Sequence, residues 1–162
     1  MSPAEELRFL ILGTQREGNR FFSALLAPLG LTPSQAEVLR CLAEADGLSL
    51  NALGRRLVCE TGSPSRLVTS LVDRGLIERE DNPGDRRQVT LSLSEAGAQL
   101  AKEAAAVEKR LHGWIEERLA PGEIATVSDG LRRMLAGTAA GNAVRERLDA
   151  AGKSRGRSRR RA

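Results

Sequence analysis

The sequence predicts a mainly α-helical fold with one small two- or three-stranded β element. Three observations predict it. Apolar residues recur at helical spacing over most of the chain, capping residues followed by proline mark several segment starts, and residues 76 to 93 switch to strand-like alternation. The chain has 162 residues, 41% of them hydrophobic, enough to bury a core without disulfides or metal. Aromatics are only 2%, with three Phe, one Trp and no Tyr. The core is therefore expected to be Leu, Val and Ala, and a base-stacking platform for single-stranded nucleic acid is disfavoured.

The first helix is expected over Ala4 to Leu26, with Leu7, Leu10, Ile11, Thr14, Gly18, Phe21 and Leu25 on one stripe. Gly13 and Gly18 each weaken it by roughly 1 kcal/mol relative to Ala. They mark either a kinked helix or one packed closely on another chain. Pro28 and Gly30 end the segment. A second helix starts at Thr32, whose hydroxyl, with Pro33 and Gln35 after it, fits a capping box. Asp46-Gly47 stops it. Ser49 caps a short third helix with Leu50, Leu53 and Leu57 inward.

After the turn Cys59-Glu60-Thr61-Gly62, Ser63 is placed as the cap and Pro64 as the first residue of a fourth helix. Leu67, Val68, Leu71 and Val72 form its inner face, which leaves Ser63, Ser65, Arg66, Thr69, Ser70 and Asp73 outside. Leu76 to Glu80 reads as a strand, and Val89, Leu91 and Leu93 alternate with polar residues in a second. Pro83-Gly84 supplies the turn between them. Ser94 caps a long helix to about Leu119. A last helix, Pro121 to Ala150, is weak between Gly137 and Gly141, and from Gly152 the chain is expected to be disordered.

Three short helices followed by a two-stranded hairpin make a winged helix-turn-helix flanked by long N- and C-terminal helices. The fourth helix carries the functional signal. Ser63, Ser65, Thr69 and Ser70 are small enough to let a backbone approach base edges, and Arg66 can reach a guanine edge bidentately. A solvated helix face more often carries Glu and Lys pairs. Arg86 and Arg87 sit beside the hairpin turn, where a side chain can enter a minor groove, and Asp85 is suited to orient Arg87. By itself that hairpin is equally a charged surface loop; after a helix-turn-helix it points to a second DNA contact.

Charge supports this only where it is localised. Net charge is +4, but Lys153, Arg155, Arg157, Arg159, Arg160 and Arg161 lie in the last ten residues. Without those six, 19 basic residues face 21 acidic ones. The basic end is either a solvated terminus or an arm for phosphates. Cys41 and Cys59 follow no metal spacing. They read as core residues, or as a thiol sensor if an accessible, low-pKa thiolate exists. His112 and Glu116 stand at i, i+4, too few for a metal site, and Trp114 beside them reads as core, interface or cavity lining. No catalytic constellation or cofactor motif is visible, so neither an enzymatic activity nor a cofactor is expected. Acidic residues directly after Met1 and the lack of a ~20-residue apolar run lead to an expected cytoplasmic protein with no membrane partner.

Ser63-Pro64-Ser65-Arg66-Leu67-Val68, Asp73-Arg74-Gly75-Leu76-Ile77-Glu78-Arg79, Asp85-Arg86-Arg87 and Leu93-Ser94-Glu95-Ala96-Gly97 resemble the MarR family of transcriptional regulators. The family's wing signature is Asp-x-Arg, five residues, then Leu-Thr, and this chain has Ser94 where Thr is usual. The resemblance implies a homodimer joined through its terminal helices. It also implies double-stranded DNA as partner at a pseudo-palindromic operator, repression relieved by a small-molecule effector or thiol oxidation, and a wing pair formed by Asp85 and Arg87. The expected organisation is a dimerisation helix over 1–30, the DNA-binding domain over 31–97, dimerisation helices over 98–150 and a basic tail over 151–162. The alternative is a winged-helix protein-interaction module without specific DNA binding. Independently of the resemblance, the terminal helices carry apolar faces that one winged helix cannot cover, which points to self-association.

Overall fold

The computed structural model describes the chain except residues 46, 59–62, 83–84 and 160–162, and it describes the side chains except those of residues 81–88 and 151–159 as well. Capping chemistry sets the helix starts. Helix α1 (Pro3–Leu26) begins at Ser2, whose hydroxyl accepts from the Glu5 amide at 3.2 Å. A short 3-10 turn, Ala27–Leu29, ends at Gly30 with φ of +62°. Helix α2 (Pro33–Glu44) has the full capping box: Gln35 N donates to Thr32 Oγ1 at 3.2 Å, and Thr32 N donates to Gln35 Oε1 at 3.0 Å. Helix α3 (Leu50–Gly54) is capped by Ser49, which accepts from Ala52 N at 3.2 Å.

Helix α4 (Pro64–Asp73) follows, and then a three-stranded antiparallel sheet forms from β1 (Leu48–Ser49), β2 (Ile77–Asn82) and β3 (Asp85–Leu93), in the order β1-β3-β2. Sequence alternation marks the two long strands. The third is two residues long and pairs Leu48 with Leu91 and Ser49 with Thr90. So brief a strand leaves no periodic signal. Strand β2 pairs Ile77 with Leu93 and Arg79 with Leu91, with a register shift at Asp81/Asn82 near the hairpin tip.

Helix α5 (Glu95–Glu116) leaves the sheet through a tight junction. Ser94 Oγ accepts from Gly97 N at 3.0 Å and donates to Gly75 O at 2.7 Å. The chain beyond is two helices, where the sequence predicts one weak-centred helix: α6 (Pro121–Leu135) and α7 (Ala139–Arg159). Gly137 takes φ of +79° and Thr138 Oγ1 accepts from Gly141 N at 3.0 Å, so a helix stop and a new cap occupy three residues. A Cβ on Gly141 would lie 2.0 Å from Leu135 O, so only glycine lets the two helices meet there. Helix α7 runs to Arg159.

One core holds the reading head together. Leu26, Val38, Leu39, Leu53, Val68 and Leu71 are fully buried, joined by Leu42, Leu91, Ala101 and Ala104. Helix α2 is the hub: it packs on α5, α1 and α4, and Arg40 bridges Glu44 of its own helix to Glu108 of α5. Phe21 and Trp114 stack α1 on α5 with ring centroids 6.0 Å apart, and the Arg118 guanidinium covers the Trp114 ring. The outer helices contrast with this core. On α1 only Leu26 is buried, and on α6 no residue is. Leu7, Phe9, Leu10 and Leu12 of α1, with Val127 and Met134 of α6, remain about half exposed. A cavity of about 520 Å³ between these helices is lined by Leu7, Val127, Leu131 and Met134.

Gly97 is where the fold tolerates least. Any Cβ there would lie 2.0 Å from the Leu76 carbonyl oxygen, a backbone atom that also accepts from Ser94 N. Gly97→Ala should destabilise the chain by about 3 kcal/mol or more, read as a lowered urea midpoint. An unchanged midpoint would contradict the close approach of α5 to the strand entry.

Candidate nucleic-acid interface

Helix α4 is two-faced because its apolar residues fall every three to four positions. Val68 and Leu71 are wholly buried, with Leu67 and Val72 half-buried beside them. Their opposite side holds Ser65, Arg66, Thr69 and Ser70, and Ser63 stands at its start; all five are exposed. The five residues singled out on this helix therefore share one open ridge of hydroxyls around a guanidinium. No acidic side chain interrupts it between Ser63 and Val72.

The hydroxyls differ in their engagements. Ser63 occupies the cap position, yet its side chain does not cap: it forms a 2.6 Å hydrogen bond with Ser65 Oγ. Its carbonyl instead accepts from Arg66 N at 3.0 Å. The capping role assigned to it from sequence is thus corrected. Both hydroxyls stay on the exposed ridge because each is the other's partner. Thr69 Oγ1 accepts from Arg79 Nη2 at 3.3 Å, and Ser70 Oγ accepts from Gln35 Nε2 at 3.3 Å. Ser70 thereby helps seat α4 on α2.

Three residues of this surface escaped sequence reasoning. Gln35 joins the α2 cap to Ser70, Arg74 Nη1 donates to Gly30 O at 3.0 Å, and Arg79 of β2 reaches back to Thr69. The available signal was weak. Arg79 is one exposed residue of a strand, and nothing in the spacing shows that β2 runs beside α4.

Asp85, Arg86 and Arg87 lie at the start of β3, next to the hairpin tip, with Asp85 paired to Asn82. Their side chains lie outside the described residues, as do the Pro83-Gly84 turn and Cys59.

Cys41 is buried to 1% exposure on α2. Burial pushes its thiol up from the ordinary 9.0 to about 11, although the Arg147 guanidinium, with Nη1 3.2 Å from Sγ, opposes the shift. A reactive thiolate needs the reverse conditions, so Cys41 fits the core reading. His112 and Glu116 are both exposed on α5, and the described residues contain no group of three side chains able to hold a metal. Among the described residues no helix is long and apolar enough to cross a membrane.

Comparison with known proteins places this geometry. The MarR family profile matches residues 31–89. An uncharacterized HTH-type transcriptional regulator of Mycobacterium leprae is 37% identical over 86 residues, 53% of this chain and 58% of the relative, so the match spans little more than half of that protein. The organic hydroperoxide resistance transcriptional regulator of Bacillus subtilis is 31% identical over 104 residues, 64% of this chain and 71% of the relative. Among solved structures, a mutant MarR from Escherichia coli complexed with operator DNA superposes with a TM-score of 0.73 at 29% identity, covering 80% of this chain and 94% of that one.

The Cys41 environment has a pH signature. Between pH 9 and about 11 the unfolded thiol ionises while the folded thiol keeps its proton, so stability falls as pH rises through that window. The stability difference between the native chain and Cys41→Ala should narrow over that window in urea melts. A difference independent of pH would show that the thiol is not held protonated by the fold.

Proposed function

Because this chain belongs to the MarR family of transcriptional regulators, we propose that it binds double-stranded DNA as a homodimer at a pseudo-palindromic operator. The observation that carries the reading is the ridge on α4: exposed Ser63, Ser65, Arg66, Thr69 and Ser70 backed by fully buried Val68 and Leu71. Its small side chains let the helix sink into a major groove, and Arg66 supplies a bidentate donor for a guanine edge. Asp85, Arg86 and Arg87 extend the contact from the wing into the adjoining minor groove, with Asp85 steering Arg87. The similar fold of a MarR from Escherichia coli that was crystallised with operator DNA supports the DNA-binding reading.

Dimerisation rests on different residues. The half-exposed Leu7, Phe9, Leu10 and Leu12 of α1, together with Val127 and Met134 of α6, form an apolar face that a second copy covers. Two-fold pairing sets the two ridges about one helical turn apart, ~34 Å. The output is repression of transcription in the cytoplasm. A small molecule that shifts the paired helices alters this spacing, and so releases DNA.

Two measurements test these parts separately. Arg66→Ala should weaken operator binding by roughly 1–3 kcal/mol, about 5- to 150-fold in Kd, while affinity for random duplex stays nearly unchanged. Equal affinities of both proteins for the operator would refute the ridge as the reading surface. Leu10→Asp should give a single-subunit mass in sedimentation equilibrium and lose most operator affinity. A dimer that survives this change would move the interface elsewhere.

A further inference from the structure

Helix α7 is attached to the reading head itself. Arg147 Nη1 donates to Glu37 Oε1 at 3.3 Å, and this same oxygen accepts from Val58 N at 2.9 Å. Val58 lies six residues before Pro64, where α4 starts. Glu146 Oε1 lies 3.6 Å from Nε of Arg55, the residue that closes α3. Ala143 is 5% exposed, and the Arg147–Glu37 side chains are 19% and 9% exposed. So residues 143 to 147 are anchored on α2 and at the end of α3, and through Glu37 they connect to Val58, ahead of the DNA-facing helix in the chain.

The chain beyond that anchor is cationic. After Asp149 it has no acidic residue, and Lys153, Arg155, Arg157 and Arg159 sit on α7 before Arg160 and Arg161. Lys153 and Arg157 are spaced i, i+4, as are Arg155 and Arg159. Like charges at that spacing destabilise a helix, and Gly152 and Gly156 each weaken it further. A polyanion removes the repulsion. Twelve residues of helix beyond Arg147 reach ~18 Å, a span of several phosphates on one strand.

We propose that α7 is a phosphate-gripping extension of the reading head, held at its root by Arg147 and Glu37, whose basic end contacts the backbone of the duplex that α4 reads. This rests on the DNA-binding reading above and adds a third contact to helix and wing. The contact carries no base information. It raises affinity for all duplexes and steepens the salt dependence of binding.

The test uses the full chain, a labelled operator duplex and a labelled random duplex, titrated by fluorescence anisotropy at several salt concentrations. The variant R155Q/R157Q/R159Q should lower the slope of log K against log salt by about two to three units per protomer on both duplexes, and leave the preference for operator intact. Arg147→Gln should produce the same loss with all tail charges present, because the helix is no longer held at the head. If Arg147→Gln unfolds the chain, Glu146→Gln with Arg55→Gln loosens the exposed part of the anchor and should give a partial loss. A triple variant with the native slope overturns the proposal. So does an anchor variant with the native slope, which would leave an untethered arm. A native slope on DNA together with lost binding to phosphatidylserine vesicles overturns it in favour of a lipid surface. Native protein that binds neither duplex refutes the DNA-binding reading itself; operator binding that ignores these variants refutes only the extension.

Discussion

The exposed polar ridge of this chain depends on how α4 is seated. Val68 and Leu71 are completely enclosed where α4 packs on α2, α3 and β2, and burying each stabilises the seat by roughly 1.5–3 kcal/mol. That anchoring leaves the helix one rotational setting. With both side chains inward, Ser65, Arg66, Thr69 and Ser70 can only face out. The polar ties from Gln35 to Ser70 and from Arg79 to Thr69 then refine a placement already set by packing. The ridge is therefore preorganised, and little ordering entropy remains to oppose binding.

The outer helices obey the opposite condition. The head closes its core within one chain, whereas α1 and α6 carry more apolar surface than the chain can cover. Since apolar burial scales with area, this exposed surface is what the proposed self-association would bury. Arg40 of α2, paired with Glu44 and with Glu108 of α5, ties the two regions by charge. A displacement of α5 is thus felt at α2, the same helix that holds α4 through Gln35.

Glu37 shows how charge is tolerated inside this head. It is the buried charged side chain among the described residues, at 8% exposure. Its carboxylate takes a backbone donor from Val58 and a guanidinium from Arg147, which offset the loss of water. The neighbouring thiol of Cys41 accepts from the same Arg147 Nη1 and stays protonated in the low dielectric. Buried polarity here joins three segments distant in sequence, α2, the end of α3 and α7, at one point.

The sequence by itself determined the local structure. Caps at Thr32, Ser49 and Ser94, proline at the first helical positions, glycine stops and the change to period two mark nearly every element, because these signals act within a few residues. It also determined which face of α4 is polar, since helical periodicity alone assigns that. Tertiary structure decided what local rules cannot reach. The two-residue strand β1 exists only because β3 offers it partners, and the last helix divides because Gly141 packs against the Leu135 carbonyl. Ser63 gave its hydroxyl to Ser65, although its position suits a cap. Gln35, Arg79 and Arg147 acquired roles through contacts 35, 10 and 110 residues away along the chain. Periodicity records which side of an element is buried; only the packed chain sets which distant group that side meets.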